Sequence, residues 1–372
     1  MYSHAKRWTE FNRLSSLAGE NLESNMRTRG GEMSEATASS VAHRSDFWAR
    51  VPRGLITVSI AVIALFAVSA VLAPSSMTKG PLLGMLPFAA VLAIVSLGQT
   101  LVVQQGGIDL SVAGAVSLAV VISTHQADGQ DSRLLPAVLL ALLLLLVAGV
   151  LNGLLIGRLG LNPIIATLGM NALLYAMVLW ISGGIPRGTT KLLASIGGGI
   201  TFGIPNAVYF AVAATALVTL VVKKSVSGRR FEAVGANPVA AWAAGLRVKR
   251  HRMGGYVWAM VMYWLAGVLL AGIVAQPTAY QGDFYLLPSV AAVVLGGTSL
   301  LGGRGYPVAT VLAALFLSQL DSFVLALGVS FAARTLVEAA ALAIGVALYT
   351  VDWKGIRTRL SSARSSPLLT PS

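Results

Sequence analysis

Long apolar stretches separated by short polar segments run along most of the chain, from Gly54 to Val351. Many reach about 18 to 25 residues, the length that a helix needs to cross a hydrocarbon core of roughly 30 Å. The pattern predicts about ten membrane spans, of which the third and eighth have the weakest apolar signal. They are placed at 54–74, 84–104, 110–125, 134–157, 164–182, 206–223, 254–274, 288–302, 306–326 and 331–351. The predicted fold class is an all-α integral membrane protein, a polytopic helix bundle with glycine-interrupted segments.

Two glycines and a carboxylate interrupt the apolar pattern at Gly106-Gly107-Ile108-Asp109-Leu110-Ser111-Val112. In a bilayer, unpaired backbone groups are costly, so such an interruption is tolerated only where protein or a water-filled cavity surrounds it. We therefore interpret this segment as a candidate transport site. Asp109 either caps the next helix, where the N-terminal dipole favours negative charge, or contacts a solute or an ion.

A second glycine cluster, Gly296–Gly305, lies in the later half of the chain, and Val294–Leu300 at its start resembles Val95–Leu101 before the first interruption. Two corresponding interruptions indicate a central site at a repeat interface, whereas close helix packing is the simpler explanation. The cluster is not a phosphate-binding loop, because GxxxxGK(S/T) occurs neither here nor elsewhere in the chain. The chain therefore has no evident means of using ATP by itself.

The distribution of basic residues predicts which loops and tails lie on the cytoplasmic side of the membrane. The chain is 56% hydrophobic and 11% charged, with a net charge of +13 and a pI near 10.4. In a soluble protein this charge would suggest a nucleic-acid partner, but here the basic residues flank the spans, as the positive-inside rule requires. The rule places a polar tail (1–53), a loop (223–253) and a second tail (352–372) in the cytoplasm, with both termini inside and no nucleic-acid partner.

Several kinds of chemistry are not expected. The chain has no cysteine, and its four histidines lack metal-ligand spacing, so we predict no redox, metal or cofactor site. The first apolar run begins near Gly54, which favours a retained span over a secretory signal.

Polar residues within the spans have simple structural explanations. Asn152 and Asn171 predict hydrogen bonds between helices. Arg334 and Glu338 are four residues apart and predict an ion pair on one helix face, with a proton relay as the alternative.

The 223–253 loop contains a helix signal of its own. Asn237 is a good N-cap, Pro238 suits the first helical position, and Gly245 suits the residue after the end. The result is a short, alanine-rich helix between basic segments. A solvated cytoplasmic loop and a docking helix for a soluble partner both remain open from spacing alone.

Four motifs together resemble the inner-membrane permeases of bacterial ABC sugar importers, in particular the ribose permease group. They are Gly106–Val112, Ile165–Met170, Ala233–Pro238 with Ala240, Ala241 and Gly245, and Val294–Gly305, in the same order as in that family. The resemblance extends from about residue 54 to 351.

The resemblance implies that residues 54–351 form a non-enzymatic permease domain in the bacterial inner membrane. It further implies a cytoplasmic ATPase that uses the ATP, a periplasmic or lipid-anchored sugar-binding protein, a second permease copy or paralogue, and surrounding lipid. The candidates for the translocation path are Gly106, Gly107, Asp109, Ser111, Thr167, Gly296, Gly297 and Thr298. The candidates for coupling to the ATPase are Glu232, Gly235, Asn237, Pro238, Ala240, Ala241 and Gly245.

Two segments depart from the family pattern and put the substrate in doubt. Ser318–Phe323 stands where the family commonly has Asn-Asn-Gly-Leu, and Glu338 stands near a position that is often basic. The leading hypothesis is an importer of a ribose-like pentose or a hexose. The alternatives are an ABC permease for branched-chain amino acids or another small polar solute, and an ion-coupled transporter that uses Asp109, Asp321 or Glu338.

Overall fold

The computed structural model describes residues 53–330 and the isolated positions 336, 339, 340 and 343. The predicted tails, the tenth span (331–351) and the predicted Arg334–Glu338 pair lie outside the described residues, apart from those isolated positions. Within the described part, the chain is almost entirely helical. Its one sheet is a two-residue hairpin in which β1 (Ile200–Thr201) pairs with β2 (Ile204–Pro205).

Twelve α-helices occur between residues 53 and 330. They are α1 (Arg53–Leu72), α2 (Lys79–Val103), α3 (Val112–His125), α4 (Asp131–Gly157), α5 (Pro163–Ser182), α6 (Lys191–Gly197), α7 (Asn206–Thr219), α8 (Val226–Ala236), α9 (Pro238–Ala243), α10 (Val248–Ile273), α11 (Asp283–Leu295) and α12 (Pro307–Ala326). A 3₁₀ turn at Pro74–Met77 precedes α2, and a π-helical turn at Leu220–Lys224 extends α7.

Seven of the described helical segments are long and apolar enough to cross a membrane. They match the predicted first, second, fourth, fifth, sixth, seventh and ninth spans, so the all-α polytopic class is confirmed. The predicted third and eighth spans correspond to α3 and α11, which have only 14 and 13 residues. A helix of that length reaches about 20 Å, which is short of a hydrocarbon core of roughly 30 Å.

Two predicted boundaries were wrong for identifiable reasons. The eighth span was placed at 288–302 because apolar residues continue to Leu301, but α11 ends at Leu295, where Gly296 and a left-handed Gly297 (φ 85°) follow. The seventh span was placed at 254–274, whereas α10 begins at Val248. Its first turn is basic, and a hydrophobicity pattern therefore assigns it to the preceding loop.

Helices α2 and α10 form the centre of the bundle. Almost every residue of α2 from Met85 to Val103 is buried, as expected for a helix that is apolar all round. Helix α10 packs against α2, α3 and α4. By contrast, α1 is the least buried of the seven long helices.

Small residues allow α4 and α10 to approach closely. Gly149, Gly153 and Gly157 lie four residues apart on one face of α4, against the α10 residues Val257, Met253 and Lys249. A Cβ atom built at Gly153 would lie 2.5 Å from Met253 Cγ. Such stripes of small residues are common at contacts between membrane helices. Because lipid tails are as apolar as the helices, the hydrophobic effect does not favour helix association there, and close packing does.

Polar side chains also join the helices. Tyr263 of α10 donates to Gln99 Oε1 of α2 at 2.8 Å. Asn171 Oδ1 of α5 accepts from the Gly114 backbone N–H of α3 at 2.8 Å, and Asn152 of α4 donates to Ser111 Oγ at 3.1 Å. The predicted interhelical roles of Asn152 and Asn171 are confirmed.

Close packing on α10 can be tested with a pair of glycine substitutions on the same helix. A Cβ at Gly267 would lie 2.6 Å from Ala119 Cβ and 2.7 Å from the Val116 carbonyl oxygen, whereas a Cβ at Gly254 meets nothing within 4 Å. Overpacking typically costs about 1–3 kcal/mol, so Gly267→Ala should lower the melting temperature of the detergent-purified protein. Gly254→Ala should leave it unchanged or raise it slightly; equal melting temperatures for both variants would contradict this packing.

Candidate coupling and translocation site

The first interruption connects α2 to the short helix α3. Gly106 adopts a left-handed conformation (φ 75°) that turns the chain after α2. The Gly107 N–H donates back to the Val102 carbonyl at 3.3 Å, which satisfies one of the last carbonyls of α2. A Cβ at Gly107 would lie 2.5 Å from the Tyr256 hydroxyl. Both glycines are therefore needed for backbone geometry and close packing.

Asp109 orders the start of α3. Its side chain is fully buried, and Oδ1 accepts hydrogen bonds from the Ser111 backbone N–H (2.9 Å) and the Ser111 hydroxyl (2.5 Å). The Ser111 hydroxyl in turn accepts from Asn152, and Thr167 Oγ1 accepts from the Leu110 N–H at 3.0 Å. The carboxylate thus satisfies a backbone donor at the helix start, although Ser111 occupies the N-cap position itself. These contacts fix the start of α3 to α4 and α5.

The second interruption connects α11 to α12. Gly297, Gly302 and Gly303 have φ values of 85°, 92° and 102°, which only glycine adopts without strain. The Thr298 hydroxyl is buried and accepts from the Tyr306 N–H at 3.3 Å, closing the segment just before α12 begins. Thr298 is therefore a loop-closing residue in this structure.

The two interruptions meet at the end of α8, in the 223–253 loop. The Gly303 N–H donates to the Gln104 carbonyl at 2.9 Å. A Cβ at Gly235 of α8 would lie 1.9 Å from that same carbonyl oxygen, and a Cβ at Gly302 would lie 2.7 Å from the Gly235 carbonyl oxygen. We call these residues, together with Gln105, the junction. Three backbone segments that are far apart in sequence touch here, and no space remains for a side chain at Gly235.

Side chains strengthen the junction on both sides. Gln105 donates through Nε2 to the Phe231 carbonyl of α8 at 2.9 Å. Lys223 pairs with Glu232 of α8 at 2.5 Å, and its Nζ lies 5.1 Å from the centre of the Tyr306 ring. Helix α8 is therefore tied to the first interruption through Gln105 and to the second through Lys223 and Tyr306.

Helix α9 follows directly and has the local structure predicted for it. Asn237 caps it by accepting from the Val239 and Ala240 N–H groups at 3.1 and 3.0 Å, with Pro238 at the first position. Gly245 follows its end in a left-handed conformation (φ 80°). Ala240 is exposed, and the side chains of Val239 and Trp242 are 75% and 73% exposed. Helix α9 therefore presents an apolar outer face.

The predicted coupling residues divide into two groups. Asn237, Ala240 and Gly245 are exposed and Pro238 is half-buried around α9, whereas Gly235 and Ala241 are buried and Glu232 is half-buried in its ion pair. Gly235 therefore contacts the interior of the helix bundle and not a surface on which another protein could bind.

A cavity of about 1130 Å³ lies between α2, α11 and α12, toward the ends of these helices that are opposite the junction. Its lining residues include Ser76, Phe88, Gln281, Asp283, Phe284, Ser318, Asp321 and Ser322. None of the eight predicted path residues is among the described residues that line it. The sequence contains one signal for this cavity. Ser318, Asp321 and Ser322 are spaced by three and four residues from Ser318, which places them on one face of a helix.

Two threonines join the helices between the cavity and the junction. Thr100 of α2 donates to Thr310 Oγ1 of α12 at 3.2 Å, and both side chains are buried. A Cβ at Gly296 would lie 2.7 Å from the Thr310 backbone nitrogen, so the start of the second interruption also packs here. We call this level the threonine contact. Along α2 and α12 it lies between the cavity-lining residues and the junction.

Comparison with known proteins identifies the family of this chain. A family model described as "branched-chain amino acid transport system / permease component" matches residues 82–350. No solved structure matches this chain significantly.

Curated relatives agree with the family model. The chain is 32% identical to a probable ABC transporter permease of Sinorhizobium fredii, over 74% of this chain and 83% of that protein. It is 34% identical to a ribose import permease of Bacillus subtilis, over 76% and 89% of the two chains. It is also 34% identical to an autoinducer 2 import system permease of an Enterobacter species, over 71% and 77%. With a family model and several relatives that cover most of its length, the chain belongs to the family of ABC transporter permeases.

Proposed function

We propose that this protein is the transmembrane permease subunit of an ATP-binding-cassette importer and forms the path for a monosaccharide, a ribose-like pentose or a hexose. The ribose import permeases among its relatives support the sugar class. The permease performs no covalent chemistry and binds no cofactor, and a separate cytoplasmic ATPase uses the ATP.

One observation carries the mechanism: α2, α11 and α12 line the cavity, and each of these helices borders one of the two interruptions. Helix α2 ends at the first interruption, α11 ends at the second, and α12 begins after it. The Gly303–Gln104 hydrogen bond and the Gly235 contact hold both interruptions against α8. A displacement of α8 and α9 therefore acts directly on the ends of the cavity-lining helices.

The mechanism is alternating access. The exposed face of α9, with Val239, Ala240 and Trp242, docks on the ATPase, and the junction passes the movement of the ATPase to α2, α11 and α12. Separation of Thr100 from Thr310 opens the cavity toward the junction. Switching between two packed arrangements of this kind is how small shifts at one site become helix movements at another.

The other partners follow from this role. A periplasmic or lipid-anchored sugar-binding protein delivers the solute at the open end of the cavity, and a second copy of this chain or a paralogue completes the path. The protein lies in the bacterial inner membrane as a multi-pass protein, with lipid around its apolar surface. The basic 223–253 loop and the two termini face the cytoplasm.

A second candidate function is supported by the description of the family model, which names branched-chain amino acid transport. In that case the architecture, the ATPase and the coupling route are the same, and only the solute differs.

The proposed function depends on a partner ATPase, and reconstitution tests this directly. The full-length permease should move solute in liposomes only when the partner ATPase, the binding protein and ATP are present. Transport driven by a proton or sodium gradient without the ATPase would support the ion-coupled alternative and overturn the importer.

The docking role of α9 predicts a charge-sensitive interface. Ala240→Glu adds a carboxylate to an exposed apolar surface, and an unpaired charge buried in an interface should weaken ATPase co-purification about tenfold or more. The protein should keep its melting temperature, because Ala240 is exposed. Gln126→Glu adds the same charge at the opposite end of the bundle and should leave co-purification unchanged. Normal co-purification of Ala240→Glu would show that α9 is not part of the interface with the ATPase.

The junction predicts a different effect for Gly235→Ala. The new methyl group would overlap the Gln104 carbonyl oxygen, so the contact must open. Solute uptake should fall severely, whereas the ATPase still co-purifies because the face of α9 is intact. Gly169→Ala, whose Cβ meets nothing within 4 Å, serves as the control. Full uptake by Gly235→Ala, with a normal melting temperature, would show that the junction does not couple the two sites.

A further inference from the structure

A groove of about 820 Å³ lies at the same end of the bundle as the junction, between the end of α4 and the segment that connects α9 to α10. No acidic residue is among the described residues that line it. Five of its lining residues are basic, and the proposed transport mechanism assigns them no role. They are Arg158, Arg247, Lys249, Arg250 and Arg252. We call this surface the basic groove.

Close packing of two helix ends brings these cations together. A Cβ built at Gly157, the last residue of α4, would lie 3.1 Å from the Lys249 carbonyl oxygen and 3.4 Å from Arg252 Cβ. Arg158 follows Gly157 directly, so its backbone lies beside the first turns of α10. Cations that are far apart in the sequence therefore converge on one groove.

The positive charge of the basic groove has no counter-charge within the described part of the chain. The ion pairs of that part are Arg187–Asp128 and Lys223–Glu232, and neither contains a groove residue. Arg252 Nε is buried, yet it has no hydrogen-bond partner among the described residues. A buried donor without a partner and a group of like charges are both unfavourable, and a bound anion relieves both.

The positive-inside rule explains the sign of these residues but not their position. Basic residues on this side of the membrane can equally lie outside the groove, as Arg229 and Arg230 of α8 do. Lys249 and Arg250 occupy the first turn of α10, where the helix dipole disfavours cations and no acidic residue balances them. This arrangement is favourable when the side chains and the dipole act together on one anion.

The surroundings of the basic groove favour a phospholipid over a free anion. Ile156 and Gly157 line it and belong to α4, so the groove begins where a membrane-spanning helix ends. The exposed apolar side chains of Leu159, Val239 and Trp242 border it. A free phosphate would contact only the cations. An anionic phospholipid uses both kinds of surface, because it carries a phosphate next to acyl chains at the end of a span.

We propose that the basic groove binds the phosphate headgroup of an anionic phospholipid, such as phosphatidylglycerol, with the acyl chains against the bordering apolar side chains. The proposal rests on the membrane location of the protein and not on the identity of the transported solute. Ala240 is not among the described residues that line the groove. The groove and the proposed ATPase surface therefore share only the edge formed by Val239 and Trp242.

Native mass spectrometry of the full-length, detergent-purified permease tests this binding. Phosphatidylglycerol and phosphatidylcholine with identical acyl chains are titrated separately at about 150 mM ionic strength, where screening over about 8 Å leaves only nearby charges to act. Phosphatidylglycerol should bind at least about tenfold more tightly, because several cations near a lipid phosphate each add affinity. An equal concentration of sn-glycerol 3-phosphate, which lacks acyl chains, should not displace it.

Two double variants locate the binding site. Arg158→Gln with Lys249→Gln removes one cation from each side of the groove, and both residues are exposed, so the melting temperature without lipid should not fall. One basic residue near a lipid phosphate contributes about fivefold in affinity, so phosphatidylglycerol should bind about twentyfold more weakly. Arg229→Gln with Arg230→Gln removes the same charge from exposed positions outside the groove and should change the affinity less than about twofold.

Equal affinity for the two lipids would overturn the proposal. The same loss of affinity in both double variants would also overturn it, because it would indicate diffuse attraction by the net charge. Displacement of phosphatidylglycerol by sn-glycerol 3-phosphate would assign the groove to a soluble phosphate compound and not to a lipid. None of these measurements requires an ATPase or a transported solute, so their outcome is independent of the reconstitution experiment.

Discussion

The rest of the structure depends on how the backbone groups of the two interruptions are satisfied inside a membrane bundle. Without water, every exposed N–H and C=O must find a partner in the protein. The first interruption uses its own turn and the Asp109 carboxylate, and the two interruptions then satisfy each other through the Gly303–Gln104 hydrogen bond. The same bond helps to hold the end of α2 beside the segment between α11 and α12, so the requirement for hydrogen bonding also creates a mechanical connection.

Helix α8 joins this arrangement because one of its residues has no side chain. At Gly235 the backbone of α8 lies against the Gln104 carbonyl, closer than any other residue type allows. A flexible side chain in that position would absorb small displacements, whereas backbone against backbone transmits them. Lys223, which pairs with Glu232 of α8, also contacts the ring of Tyr306 at the end of the second interruption. In the proposed mechanism, partner binding at α9 and opening of the path are thus separated by only a few backbone contacts.

Local rules predicted much of the fold, whereas the contacts that bring the two interruptions together are long-range. The Asn237 cap and the Gly245 end of α9 follow from short-range patterns and are present, as are seven of the predicted spans in the described part of the chain. The meeting of Gly106, Gly235 and Gly302 was not predictable in this way, because these three glycines are far apart in the sequence. Gly302 and Gly303 of the second motif lie at the junction, with Gly106 beside Gly302, while Asp321 lines the cavity. A solute path at these glycine motifs stays a prediction. Glycine enrichment marks close approach of backbones and does not reveal which process needs it.

The rigidity of the Gly235 contact has a thermodynamic consequence. Two sites that bias one two-state element are linked, and the linkage is reciprocal in binding free energy. If a docked partner on α9 changes the affinity of the cavity for solute by some factor, an occupied cavity changes the affinity of α9 for that partner by the same factor. In the proposed mechanism, a loaded permease and an empty one would therefore differ in their affinity for a partner at α9, so that occupancy of the cavity could be read at α9 without any solute having crossed.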